Sequence, residues 1–148
     1  MSNVNPKDIL TGIESTLTAS PTLVNSSCLQ AVVIGRDADH SGGFPFCRIY
    51  LDTFDNPIAD TVSYERTYTF AVEIWQEMTA KSKRNAELDL ANALHLVLNR
   101  LSGTWQLGLG VEGLTITGGP VRSVELNGGP MIVAPITVTV TDLIQNPA

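Results

Sequence analysis

Apolar and polar side chains alternate along residues 61–76, the longest such run in the chain. Val62, Tyr64, Tyr68, Phe70, Val72 and Ile74 fall on one side and Thr61, Ser63, Glu65, Thr67, Thr69 and Glu73 on the other, with Arg66 interrupting the apolar set. A side-chain period of two is the geometry of a β-strand. At about 3.3 Å per residue the run would extend roughly 50 Å if straight, well past the usual strand of about five or six residues. A strand of that length is expected to project beyond a small core. What lies beyond the core either pairs with another chain or bends away, which leans toward an assembly protein whose neighbouring copy covers the open backbone groups.

The alternation returns near the C-terminus, where Ile132, Ala134, Ile136, Val138 and Val140 share one face and Thr137, Thr139 and Thr141 the other. One apolar and one polar face fit an antiparallel sheet covered by helices on a single side, with Phe70 and Val138 on the covered faces. Shorter β-branched runs at Leu29–Ile34, Phe46–Leu51 and Val121–Leu126 predict further strands. Asp52 to Asp60, which contains Asp55-Asn56-Pro57, predicts a hairpin loop that brings the long strand back beside residues 46–51. Asn127-Gly128-Gly129-Pro130 predicts the turn into the last strand, Met131–Val140.

Two stretches change to helical spacing. Asn5 as N-cap and Pro6 at the first helical position open a helix to about Thr18, with Ile9, Leu10, Ile13 and Leu17 on a narrow stripe that suits the surface of a sheet. Ser82 can cap a second helix lined by Ala86, Leu90, Leu94, Val97, Leu98 and Leu101 and stopped near Gly103. Lys81, Lys83 and Arg84 at its start oppose the helix dipole by a few tenths of a kcal/mol. They are either a solvated helix end or a contact with an acidic neighbour. The order helix, two strands, long strand, helix, two strands gives an α+β class: a mostly antiparallel sheet, two helices on one face, and one long strand or hairpin projecting. Residues 1–148 form one domain, with 1–4 and 144–148 as tails.

Fifteen acidic against nine basic residues, a net charge of -6, argue against an electrostatic grip on nucleic acid, though not against lying near it. No run approaches the roughly 18 apolar residues of a membrane span and the N-terminus has no leader character, so the expectation is a protein made in a cytosol, without membrane contact. Cys28 and Cys47 lack CxxC or Cys/His spacing and read as reduced, structural thiols.

Candidate chemistry fails on context. Asp37, Asp39, Ser41 and Gly42 occupy the early positions of a calcium loop, but the twelfth position is Arg48 and a strand precedes the segment. Gly108-Leu109-Gly110-Val111-Glu112-Gly113 spells GxGxxG, yet it follows a helix, leads into strand structure, and lacks the acid about twenty residues on. His95 sits off the apolar stripe of its helix, and Glu73 and Glu77, where strand leaves for helix, are expected in solvent. The expectation is a protein with no catalytic site, metal or cofactor, not an enzyme.

Taken together, the pattern resembles the tail terminator proteins of long-tailed bacteriophages, lambda-like tail completion proteins among them. The resemblance spans about residues 5–143 and is carried by the opening helix (Asp8 to Leu17), Arg66-Thr67-Tyr68-Thr69-Phe70-Ala71-Val72-Glu73-Ile74-Trp75, a Lys/Arg-containing link, the helix with Ala86-Glu87 and Leu94, Gly119-Pro120-Val121 and Ile136-Thr137-Val138-Thr139-Val140. It implies a homo-oligomeric ring, typically six-fold, at the head-proximal end of the virion tail, stopping tube polymerisation and meeting the head connector. Partners would be further copies, the tail tube protein and the neck proteins, with DNA passing through the lumen. On that resemblance Arg66, Glu73, Trp75, Lys81, Lys83 and Arg84 are candidate subunit contacts. A neck, head-completion or tail tube protein stays open, as does a small-ligand-binding or enzymatic α+β domain, which a concave pocket with convergent polar groups would mark.

Overall fold

The computed structural model describes residues 5–19, 29–36, 43, 45–56, 63–78, 83–103, 113–126 and 129–145. The element order is α1 (Pro6–Thr18), β1 (Ala31–Ile34), β2 (Phe46–Asp55), β3 (Ser63–Glu77), α2 (Lys83–Gly103), β4 (Gly113–Gly118), β5 (Arg122–Leu126) and β6 (Gly129–Gln145). The α+β class holds, and the six strands form one mixed sheet in the order β1-β2-β3-β6-β4, with β5 also on β6.

The sheet is mixed because β1 runs parallel to β2, Ala31 to Ile34 matching Phe46 to Ile49; every other pairing is antiparallel. At the other side of the sheet, β4 and β5 share one edge of β6. β4 pairs from Gly113 with Thr141 to Gly118 with Ile136, and β5 from Arg122 with Val133 to Leu126 with Gly129. The gap between them falls at Pro135, which has no N–H to offer; its carbonyl accepts from Gly119 N at 3.1 Å. β4 is the strand that the predicted element order lacks. β6 also begins and ends beyond its predicted limits, so Gly129 and Pro130 are paired strand residues rather than turn, and Ile144 and Gln145 pair with Tyr64 and Ser63 rather than forming a tail.

The expected unpaired long strand is corrected by its neighbours. β3 is central: β6 pairs with all 15 of its residues, and β2 pairs with it from Thr67 to Trp75. Its backbone therefore needs no second chain along that stretch.

Phe70, Val72 and Ile74 of β3 and Ile136, Val138 and Val140 of β6 are buried beneath the helices, as their alternation predicts. α1 contributes Ile9, Ile13 and Leu17 and lies on β1 and β2; α2 contributes Ala86, Leu90, Ala93, Val97 and Leu101 and lies on β3 and β6. Asn5 caps α1 as predicted, its Oδ1 accepting from Lys7 N at 3.0 Å. The other end of α1 is held by Arg100 of α2, whose Nε donates to the Thr16 carbonyl at 2.8 Å, a cation where the helix leaves its carbonyls unpaired.

The opposite face, here the outer face, changes character along the strands. A bulge between Leu51 and Thr53 of β2 shifts side-chain parity, bringing Thr53 level with Thr69 and Asp55 level with Thr67. Three rows then cross the sheet: Asp55, Thr67, Thr141, Gly113; Thr53, Thr69, Thr139, Thr115; and Tyr50, Ala71, Thr137, Thr117. No helix or strand among the described residues lies over these threonines. Further along come Arg48, Glu73, Pro135 and then Phe46, Trp75, Val133, Arg122, where the polar pattern stops.

Candidate functional site

The outer face holds a polar knot where those last two rows meet. Phe46, Trp75, Met131 and Val133 form a small buried cluster separate from the main core, flanked by Val33 and Val124. Phe46 and Trp75 stack with ring centroids 6.2 Å apart. The Arg48 guanidinium lies 4.8 Å from the Trp75 ring centroid and 5.7 Å from that of Phe46, a cation over two aromatic faces. Arg36 sits likewise 5.0 Å from the Tyr50 ring centroid and donates from Nη2 to the Leu51 carbonyl at 2.7 Å.

Glu73 is the centre of this arrangement. Its Oε2 accepts from the Tyr50 hydroxyl at 3.0 Å and lies 3.5 Å from Arg122 Nη2, while Oε1 accepts from Trp75 Nε1 at 3.3 Å. The expectation of a solvated Glu73 is therefore wrong: only 5% of the residue is exposed. A buried carboxylate is tolerable because donors from β2, β3 and β5 converge on it. Burial first, then Glu73, raises the Tyr50 pKa and keeps its phenol protonated. Both carboxylate oxygens are occupied by fixed donors, so the arrangement clamps three strands rather than presenting a base to a substrate.

The remaining predicted contact residues scatter. Trp75 is buried within the cluster, with 7% exposed. Arg66 faces the helix side at the far end of β3, level with Asp142, and donates from Nε to Asn56 Oδ1 at 2.7 Å. Lys83 and Arg84 are exposed at the start of α2, and Lys81 lies outside the described residues. Among the described residues, Glu73 and Trp75 are the only two of the predicted contacts that meet. Tyr50, Arg48, Phe46 and Arg122 were not singled out by the sequence; the alternation Phe46, Arg48, Tyr50 was the available signal, legible only once β2 is placed in register with β3.

Cys47 is buried beneath the helices, and burial, with a smaller contribution from Glu73, pushes its thiol far up; Cys28 lies outside the described residues. The calcium-like segment from Asp37 to Gly42 is also outside them, as is the glycine pattern except for Gly113, the first residue of β4. His95 is exposed, within 3.2 Å of Asn99 on the next turn. Among the described residues, no group of three or more His, Cys, Asp or Glu side chains is placed to hold a metal ion, and no helix is long and apolar enough to cross a membrane.

No family model and no curated protein matches the chain. A solved structure bearing no functional name aligns with 99% of this chain and 100% of its own length at 16% identity, with a TM-score of 0.44. A likeness that loose carries no argument.

Proposed function

We propose that this chain is a structural virion protein, not an enzyme: a tail terminator that forms a ring, six-fold by resemblance, at the head-proximal end of a phage tail. In that role it stops tube polymerisation, joins the tail to the head connector and lets DNA pass through its lumen. The observation that carries the reading is the two-sided sheet. Both helices cover one face, and the other presents the threonine rows bounded by Asp55 and Glu65, with no basic side chain among them. DNA is gripped through its phosphates by Lys and Arg, so a hydroxyl-bearing, acid-edged wall suits a conduit that must let it slide.

The test is imaging of tails assembled with and without the protein. Tubes of defined length, each ending in a ring, are expected with it, and overlong tubes without it. Unchanged tail length together with no ring density would remove the terminator reading.

A further inference from the structure

Besides the outer edges of β1 and β5, two stretches of sheet edge lack a strand partner among the described residues, and they lie at the same height. β1 covers β2 only as far as Ile49, and Arg36 satisfies the Leu51 carbonyl, which leaves Asp52 to Asp55 open. On the far side β4 pairs with β6 along one edge only. Thr53 and Thr115 end one row of the sheet, and Asp55 and Gly113 end another. On the helix side Phe54, Tyr68, Val140 and Leu114 form a row of their own, with Phe54 at one end, 70% exposed, and half-buried Leu114 at the other.

We infer that these edges pair between copies of the chain, β2 of one subunit adding to β4 of the next. This rests on the ring reading and names the contact within it. β4 carries no charge and no proline, the devices that ordinarily keep an edge strand from pairing. Joining Thr53–Asp55 to Gly113–Thr115 continues both faces over those residues, since Thr53 comes level with Thr115 on the hydroxyl side and Phe54 with Leu114 on the apolar side; below Leu51 β1 and Arg36 flank β2, so there the two sheets diverge. Strand direction agrees as well. β2 and β6 run one way, and β3 and β4 the other, so copies related by rotation about an axis along the strands bring β2 against β4 antiparallel. Because the rows are level, no shift along that axis is needed, and head-to-tail contacts without such a shift close into a ring rather than climb into a filament.

The experiment is disulfide trapping between two full-length proteins in a Cys28→Ser background, one with Thr53→Cys and one with Thr115→Cys. Level cross-strand residues have Cα atoms about 4.5–5.5 Å apart, within disulfide reach. Concentrated and mildly oxidised, the mixture is expected to give a disulfide dimer at least tenfold above either protein alone, and Phe54→Asp in the Thr53→Cys partner should abolish that excess. No mixed dimer, or equal dimer from the Thr115→Cys protein by itself, overturns the inference. The terminator reading is judged separately by tail length, so rings and tails of defined length without the trapped dimer would remove this contact and leave that reading standing.

Discussion

Tyr50 on β2 donates its hydroxyl to Glu73 on β3 at 3.0 Å, on the sheet face opposite α1 and α2. Trp75 and Arg122 share the same carboxylate. Glu73→Ala would leave the Tyr50 and Trp75 donors without their acceptor, and the expected loss is about 2–3 kcal/mol. Glu73→Gln keeps an acceptor oxygen and should lose about half as much. Urea unfolding of both variants checks this, and equal losses would mean that the donors find other partners.

Stability should fall on the alkaline side. An unfolded thiol titrates near its ordinary value of about 8.5 and a phenol near 10. Folding raises both Cys47 and Tyr50 above those values, chiefly by burial. Their contributions are thus complete below the unfolded pKa and are lost as pH rises past it, first from Cys47 above about 8.5 and then from Tyr50 above about 10. Urea midpoints measured from pH 7 to 11 should show this limb. Cys47→Ala should flatten its first part and Tyr50→Phe its second.

Phe70 and Thr69 are sequence neighbours on opposite faces. Phe70 is fully buried under the helices, whereas Thr69 sits among half-exposed hydroxyls. Phe70→Ala should cost about 3–5 kcal/mol and Thr69→Ala less than about 1 kcal/mol in the same unfolding assay. Similar losses at both positions would place a cover over the threonine face.

Gly113 and Gly118 bound β4 and should respond differently to a methyl group. A Cβ at Gly113 would lie 3.1 Å from both the Thr141 carbonyl oxygen and its Cβ, whereas one at Gly118 would meet nothing within 4 Å. Gly113→Ala should lose about 1 kcal/mol or more through crowding against the β6 backbone. Gly118→Ala should be neutral or gain a few tenths of a kcal/mol from the reduced freedom of the unfolded chain. Melting temperatures of the two variants settle the order.

Much of the fold was legible where a residue's neighbours are local. The period of two in β3 and β6 placed Phe70, Val138 and Val140 correctly, and Asn5-Pro6 marked the start of α1 because capping depends on adjacent residues. What the chain could not announce was pairing. The parallel partner of β1 and the central position of β3 depend on strands distant in sequence, so the long strand was expected to have open edges that β2 and β6 in fact fill. The knot around Glu73 was missed for the same reason. A glutamate on the polar side of an alternating strand looks solvated until Tyr50 and Arg122 arrive from other strands, and Trp75, expected at a subunit contact, is absorbed into the cluster beside it.

The depth at which β6 is embedded sets the order of events during synthesis. Ser63 pairs with Gln145 and Glu77 with Met131, so the middle of the sheet joins the centre of the chain to its final strand. The β2–β3 hairpin closes locally and can form early, but among the described strands of their own chain β4 and β5 pair only with β6 and must wait for it to leave the ribosome. Until then β3 offers a full-length naked edge to any other nascent copy, so expression at low temperature and a slow rate should raise the soluble yield of this chain.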